Sequence, residues 1–270
     1  MRMLRCGMIG ENIGRSKFPK AIALLCARHG LALDYRVDDT RDRAGSAAFD
    51  FEETVASLAA EGRDGVTVTH PFKTHAARWA GNGMDAEAAH LGAANTLLFA
   101  TRRGTNTDYC GFRAAWAETG LAPGRVAAAG AGGVARAVVP ALAGLGAEVS
   151  VWDVDRARAD ALGALGATSV PIEAAEATAR AADGLVNCTP LGHAPDMRSA
   201  FDPAWIGPQS WAFDAVYTPI DTPFLTACAS AGLRTLTGFD LFRHMVLRSF
   251  EAYTGIADPE AMPLLEELRP

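Results

Sequence analysis

The apolar positions of this chain fall into two rhythms that alternate along its length. Residues 4–9 form a short apolar run that stops at Gly10, the mark of a buried strand. Across 19–29, Ile22, Leu24, Leu25 and Cys26 recur with the spacing of one helix face, and Gly30 supplies the stop. Residues 35–38 alternate as a strand should, 51–60 return to helical spacing, and 65–69 make a second buried strand ended by Pro71. From Val126 the alternation sharpens: a strand at 126–129, a Gly-rich turn at 130–133, a helix at 134–145, a strand at 148–152, and an Ala-rich helix at 157–165. Further strands are predicted at 184–187, 211–216 and 234–236, with helices at 241–253 and 260–268. Strand and helix in regular alternation predict an α/β fold with parallel sheets.

No internal repeat or low-complexity linker interrupts this pattern. The expected organisation is an N-terminal α/β substrate lobe over 1–105 and a Rossmann-type dinucleotide-binding domain over 106–237. The helices of 238–270 are expected to return to the first lobe, leaving a cleft between the lobes for two substrates.

Composition narrows the partners. The 270 residues are 49% hydrophobic and 21% charged, enough for a sizeable core in one or two domains. A net charge of −6 without a Lys/Arg run argues against nucleic acid and leaves small molecules as the expected ligands. Five scattered cysteines (Cys6, Cys26, Cys110, Cys188, Cys228) form no C-x-x-C pair, so neither a disulfide framework nor a metal site is indicated. The reading is reduced thiols in a cytoplasmic protein. No apolar run reaches the ~20 residues that span a bilayer, and the N-terminus lacks a signal-peptide core.

The sharpest chemical signal is Gly130-Ala131-Gly132-Gly133-Val134-Ala135, which fits G-x-G-x-x-G/A. The first Gly permits the tight turn, the second lets backbone approach a pyrophosphate, and a small third residue lets helix and strand pack closely. The turn follows a strand, opens a helix, and is followed by a second strand that ends at Asp153. A carboxylate there accepts hydrogen bonds from the adenosine ribose hydroxyls and repels the 2′-phosphate of NADP, so NAD is favoured over NADP. Arg156 and Arg158 could serve a phosphate, but both fall past the strand end on the next helix.

Three further blocks carry a resemblance. Gly65-Val66-Thr67-Val68-Thr69-His70-Pro71-Phe72-Lys73 resembles the strand-and-lysine motif of the shikimate/quinate dehydrogenase family. Gly92-Ala93-Ala94-Asn95-Thr96 and Asn106-Thr107-Asp108-Tyr109-Cys110-Gly111-Phe112 are similar to its Asn and Asp motifs. The Gly-rich turn, Asn187-Cys188-Thr189-Pro190-Leu191-Gly192 and Asp214-Ala215-Val216-Tyr217 follow in the same order, so the resemblance runs from Gly7 to Gly255. From sequence alone, Lys73 and Asp108 are ordinary charged residues with no stated proximity. The resemblance implies that they meet, with Lys73 as general acid/base and Asp108 orienting it. It further implies that Thr69 and Asn95 bind ring hydroxyls and Ser16 a carboxylate. By the same resemblance, Tyr217 and Met245 lie near the substrate and Thr189, Val216 and Gly238 near the cofactor. The implied activity is hydride transfer between NAD and a secondary hydroxyl of an alicyclic hydroxy acid, in a monomer or homodimer. The rivals are an NADP-dependent biosynthetic shikimate dehydrogenase, which Asp153 disfavours, and a silent nucleotide-binding regulator, which the Lys73/Asp108 pair disfavours.

Four departures stand out. The family's second Ser or Thr after Ser16 is Phe18, the Asn before Val-Thr is Thr67, the Gln seven residues after Gly238 is Met245, and a His is Ile22. The first three face substrate in the family, and Phe18 and Met245 replace hydrogen-bonding groups with apolar ones. The expectation is a pocket less suited to shikimate itself. His70 and His244 are expected to be structural or solvent-facing, and His193 to be a variant of a cofactor-contact position.

Overall fold

Residues 2–43 and 49–270 are described by the computed structural model of the chain. They divide into two units, the first running to Cys110 and resuming over Arg243–Arg269, the second covering Gly111–Phe242. Both divisions fall inside helices, a few residues past the boundaries expected from sequence.

In the first unit, β1 (Met3–Gly10) lies parallel to β2 (Ala32–Asp39) on one side and β3 (Gly65–Val68) on the other. The sheet is not wholly parallel as predicted. β4 (Thr96–Leu98) and β5 (Arg103–Thr105) extend it as an antiparallel pair, giving the order β2-β1-β3-β4-β5. The reason is the connection. Four residues join β4 to β5, a length that allows a hairpin and no crossover. The helices are α1 (Phe18–Arg28), α2 (Phe51–Ala60) and α3 (Lys73–Ala80). α2 is capped by Asp50, whose carboxylate accepts the Glu53 N–H, with Glu52 and Glu53 set against the helix dipole. Its apolar face (Phe51, Val55, Leu58) packs with Ile9, Val66, Val68 and Phe72.

α4 (Thr107–Thr119) leads into the second unit, whose six strands are all parallel. They are β6 (Arg125–Ala129), β7 (Glu148–Trp152), β8 (Ala167–Ser169), β9 (Gly184–Asn187), β10 (Trp211–Asp214) and β11 (Arg234–Thr237), in the order β11-β10-β9-β6-β7-β8. This is the doubly wound arrangement, with its switch point where β6 is flanked by β7 and β9. α5 (Ala135–Gly144), α6 (Arg156–Ala161), α7 (Ala175–Ala181) and α8 (Pro223–Ser230) complete the crossovers. The helix predicted over 157–165 is shorter, its last turn tightening to a 3-10 turn at Gly163–Leu165. The strand predicted to reach residue 216 stops at Asp214, whose side chain turns the chain.

α9 (Gly238–Thr254) starts earlier than predicted, because Thr237 and Asp240 cap it reciprocally: Asp240 N–H donates to Thr237 Oγ1 at 3.1 Å and Thr237 N–H to Asp240 Oδ2 at 2.9 Å. The predicted helix over 260–268 resolves into a 3-10 turn and the short α10 (Met262–Glu266). No helix of the described residues is long and apolar enough to cross a membrane.

Candidate active site

Lys73 opens α3 and Asp108 lies in the first turn of α4. Their side chains meet at 2.5 Å (Nζ to Oδ2), 19% and 12% exposed. The ammonium sits at a helix N-terminus, where the dipole opposes it, and the carboxylate at another, where the dipole favours it. The pair is therefore held together by charge, in a setting that water reaches only in part.

Asn95 lies immediately before β4, next to Ala94, whose N–H donates to the Lys73 carbonyl at 2.8 Å. Its backbone is woven into the sheet: Val68 N–H donates to its carbonyl at 2.7 Å, and its own N–H donates to Thr105 at 3.0 Å. Its side chain is oriented just as firmly. The Thr107 backbone N–H donates to Oδ1 at 2.7 Å, the Thr107 hydroxyl at 3.0 Å and the Thr96 hydroxyl at 3.3 Å. A backbone N–H can only donate, so the atom facing it is the oxygen, and Nδ2 is left without a partner among the described residues. Behind Thr107, Ser249 of α9 closes the network, its single hydroxyl hydrogen shared between Thr107 Oγ1 and the Met245 carbonyl, each at 2.9 Å.

Thr69 ends β3, its N–H donating to Ile9 at 2.9 Å, and its hydroxyl has no partner among the described residues. Ser16 lies on the loop between β1 and α1. That loop is fixed by Asp39, whose carboxylate accepts the backbone N–H groups of Asn12, Ile13 and Gly14 at 2.9, 2.8 and 3.2 Å. Burial works against the charge on Asp39, but donation from Arg41, Ile13, Asn12 and Gly14 outweighs it and holds the carboxyl below its ordinary range. The Phe18 backbone N–H donates to Ser16 Oγ at 3.2 Å, so the serine hydroxyl keeps its hydrogen free to donate. No hydrogen bond joins Ser16 or Thr69 to the lysine pair among the described residues.

Two of the departures differ from expectation. Phe18 is 1% exposed and presents no surface to a ligand, since it enters the core as the first residue of α1. Thr67 is also buried, its hydroxyl 2.7 Å from the Tyr253 hydroxyl. Met245 remains half-buried, its sulfur 3.8 Å from Ser249 Oγ. His70 is exposed and His244 buried. No cluster of metal-ligating residues occurs among the described residues.

In the second unit the turn after β6 sits at the switch point. Gly130 has φ +91°, and a Cβ there would stand 2.8 Å from the Thr189 nitrogen, so only glycine fits. At Gly132 and Gly133 the reverse holds, because a Cβ would meet nothing within 4 Å. Open space beside a helix N-terminus that Ala131 and Val134 flank is the room a pyrophosphate needs. Asp153, at the end of β7, accepts the Ala131 N–H at 2.7 Å on one oxygen and the Asp155 N–H at 2.8 Å on the other. Each oxygen keeps a lone pair for a ribose hydroxyl. Arg156 and Arg158 are turned to acids, Asp160 at 2.8 Å and Asp155 at 3.3 Å, and Val154 beside them is 93% exposed.

The loops carrying Thr189 and Val216 rest on a buried network that the sequence reading missed. Asp214, fully buried, accepts from Asn187 Nδ2 at 2.9 Å, Val216 N–H at 2.9 Å and the Thr222 hydroxyl at 2.6 Å. Asn187 Oδ1 in turn accepts the Thr189 N–H at 2.9 Å and its hydroxyl at 2.7 Å. Burial pushes the Asp214 carboxyl up to about 6, against the lowering effect of its donors. Tyr217 stacks on Phe242 at 5.4 Å, and His193 Nδ1 lies 2.7 Å from the Thr218 carbonyl. Gly238 is packed against the end of β10 and the residue after it, where a Cβ would fall 2.3 Å from the Ala215 oxygen.

An open glycine turn at the switch point of a doubly wound sheet, with a lysine–aspartate pair in a second α/β unit, matches a two-part nicotinamide-dependent dehydrogenase. Comparison with known proteins narrows the class. The family model for the shikimate dehydrogenase substrate binding domain matches residues 8–97. A quinate/shikimate dehydrogenase (NAD(+)) of Corynebacterium efficiens is 35% identical over 93% of this chain and 92% of its own length. A shikimate dehydrogenase (NADP(+)) of Mesorhizobium japonicum is 34% identical over 92% and 89%. The solved structure of quinate dehydrogenase from Corynebacterium glutamicum in complex with NAD superposes with a TM-score of 0.91, at 30% identity, over 99% of this chain and 100% of that one. The chain belongs to the quinate/shikimate dehydrogenase family, whose members are NAD(P)-dependent oxidoreductases.

Proposed function

We propose that this chain interconverts a secondary ring alcohol and its ketone on a quinate- or shikimate-like hydroxy acid, with NAD as the preferred cofactor. The observation that carries the reading is the partly buried Lys73–Asp108 pair at 2.5 Å. Bound at the Gly130–Gly133 turn, the nicotinamide dinucleotide supplies the hydride acceptor. The chain's own residues manage the proton. Lys73 takes it from the hydroxyl in oxidation, for which it must enter as the neutral amine, and as the ammonium returns it to the carbonyl oxygen in reduction. Asp108 holds the Lys73 amine and accepts from a neighbouring hydroxyl. Asn95 Nδ2 and the Thr69 hydroxyl hold ring oxygens, and Ser16 donates to the carboxylate.

The preference for NAD is supported by Asp153, whose carboxylate would face a 2′-phosphate, and by Arg156 and Arg158, both already paired with acids. The five free cysteines support a reducing, cytoplasmic setting, and the working form is a monomer or homodimer. The test is steady-state kinetics on quinate and shikimate with each nucleotide. NAD is expected to give at least about tenfold higher kcat/KM than NADP, ~1.4 kcal/mol, and Asp153→Asn to narrow that gap. Equal values for the two cofactors in the wild type would refute the preference, and no turnover with either would refute the activity.

A further inference from the structure

Lys17 is ill-suited to its place by local rules. It stands at the N-cap of α1, where a side-chain oxygen is favoured and a cation meets the positive end of the helix dipole. It makes no capping bond there. Lys20, three residues on, is exposed, whereas Lys17 is half-buried. Loss of water, with the nearby charge of Lys20, holds the Lys17 amine below the usual lysine range. Nothing within α1 offsets that cost.

The ammonium is committed instead to a distant part of the chain. Its Nζ donates to the Leu268 carbonyl at 2.7 Å, across 251 positions. Leu268 is buried and lies just past α10, where a cation complements the free carbonyls of a helix C-terminus. That acceptor is itself held by backbone, since the Leu268 N–H donates to the Leu265 carbonyl at 3.0 Å. At the other end of the contact, Ser16 is the next residue in the chain. Its own bonds stay inside the loop: its N–H donates to the Ile13 carbonyl at 2.9 Å, and Oγ accepts the Phe18 N–H at 3.2 Å. Asp39 anchors residues 12–14, and Phe18 is sunk in the core. Between those two anchors, the bond from Lys17 to Leu268 is the hydrogen bond among the described residues that ties residues 15–17 to a remote segment.

We propose that Lys17 is a positioning residue for the substrate site: by gripping the Leu268 carbonyl, it holds the Ser16 hydroxyl where that hydroxyl donates to a substrate carboxylate. The proposal rests on the reading of Ser16 given above. Lys17→Met keeps the aliphatic stem and removes the donor, while Lys17→Arg keeps a cationic donor. With NAD saturating, Lys17→Met is expected to raise KM for quinate or shikimate about three- to tenfold with kcat within about twofold, and Lys17→Arg to recover most of that loss. Ser16→Ala alone should raise KM about ten- to a hundredfold, the usual size of a lost hydrogen bond to a charged group. In that background, Lys17→Met should add less than about twofold, because the group it positions is gone. An unchanged KM in Lys17→Met overturns the proposal. So does an equal rise in both backgrounds, which marks a residue that serves folding and not Ser16. An unchanged KM in Ser16→Ala refutes the carboxylate reading itself, and this proposal with it.

Discussion

In the function proposed above, the two units prepare for a ligand by opposite means. In the first, the groups offered are side-chain atoms (Lys73 Nζ, Asn95 Nδ2, the hydroxyls of Thr69 and Ser16), each steadied by a hydrogen bond on its far side or by the sheet. In the second, the surface offered is mostly backbone at Gly130–Gly133, and the polar side chains lie behind it, with Asn187, Asp214 and Thr222 joined out of reach of solvent. A site of side chains is tuned one atom at a time. A site of backbone tolerates changes at its surface but depends on the buried network that shapes its loops.

The sharpest way to break this contrast is Lys73→Ala. It is expected to lower kcat by about 10²–10⁴ while the dissociation constant for NAD stays within about twofold. Stopped turnover with lost NAD binding would mean that the units are not separable in this way; an unchanged kcat would move the proton to another group, with His70 the next candidate.

The second unit should respond through stability instead. Asp214 titrates near 6 when folded and near 3.8 when unfolded, so its folded form is favoured most below about pH 4. That contribution, roughly 3 kcal/mol, is lost as pH rises through 6 and stays lost above it. Asp214→Asn removes the loss while keeping the acceptor for Val216 and Asn187. Its melting temperature relative to wild type should climb by several degrees between pH 4 and 7. A difference that is flat with pH would show that Asp214 is not the titrating group.

The smallest expected effect is Met245→Gln. Restoring an amide at this half-buried position should lower KM for shikimate about three- to tenfold, the size of one added hydrogen bond, with kcat nearly constant. No change in KM would place the residue away from the ring. Phe18→Ser is not a useful companion, because removing a buried aromatic side chain costs about 3–5 kcal/mol of stability.

The contrast also explains what the sequence disclosed. The Gly130 turn and Asp153 were legible because their requirements are local: a positive φ, a missing Cβ, a carboxylate at a strand end. The lysine and asparagine blocks were legible only through resemblance, since nothing in the spacing of Lys73, Asn95 and Asp108 states that they converge. The supports were hidden. Ser249 reaches Thr107 across 142 positions, and nothing in the spacing of Thr222 and Asp214 states that they pair. The β4–β5 hairpin escaped because three-residue strands are too short to show alternation. Phe18 and Thr67 misled for a different reason. A substitution can turn a position inward, and the one-dimensional pattern does not record which way it faces.

The fixed amide of Asn95 has a consequence for selectivity. Its oxygen is saturated by Thr107 and Thr96, so toward a ligand the residue acts as a one-way gate, donating and never accepting. In the proposed complex a ring hydroxyl meets it with a lone pair and is admitted. An ammonium at the same ring carbon has no lone pair to offer, and would set donor against donor where Asn95 cannot turn over without breaking three hydrogen bonds. In that proposed complex the two threonines behind Asn95 thereby set the site against aminated rings.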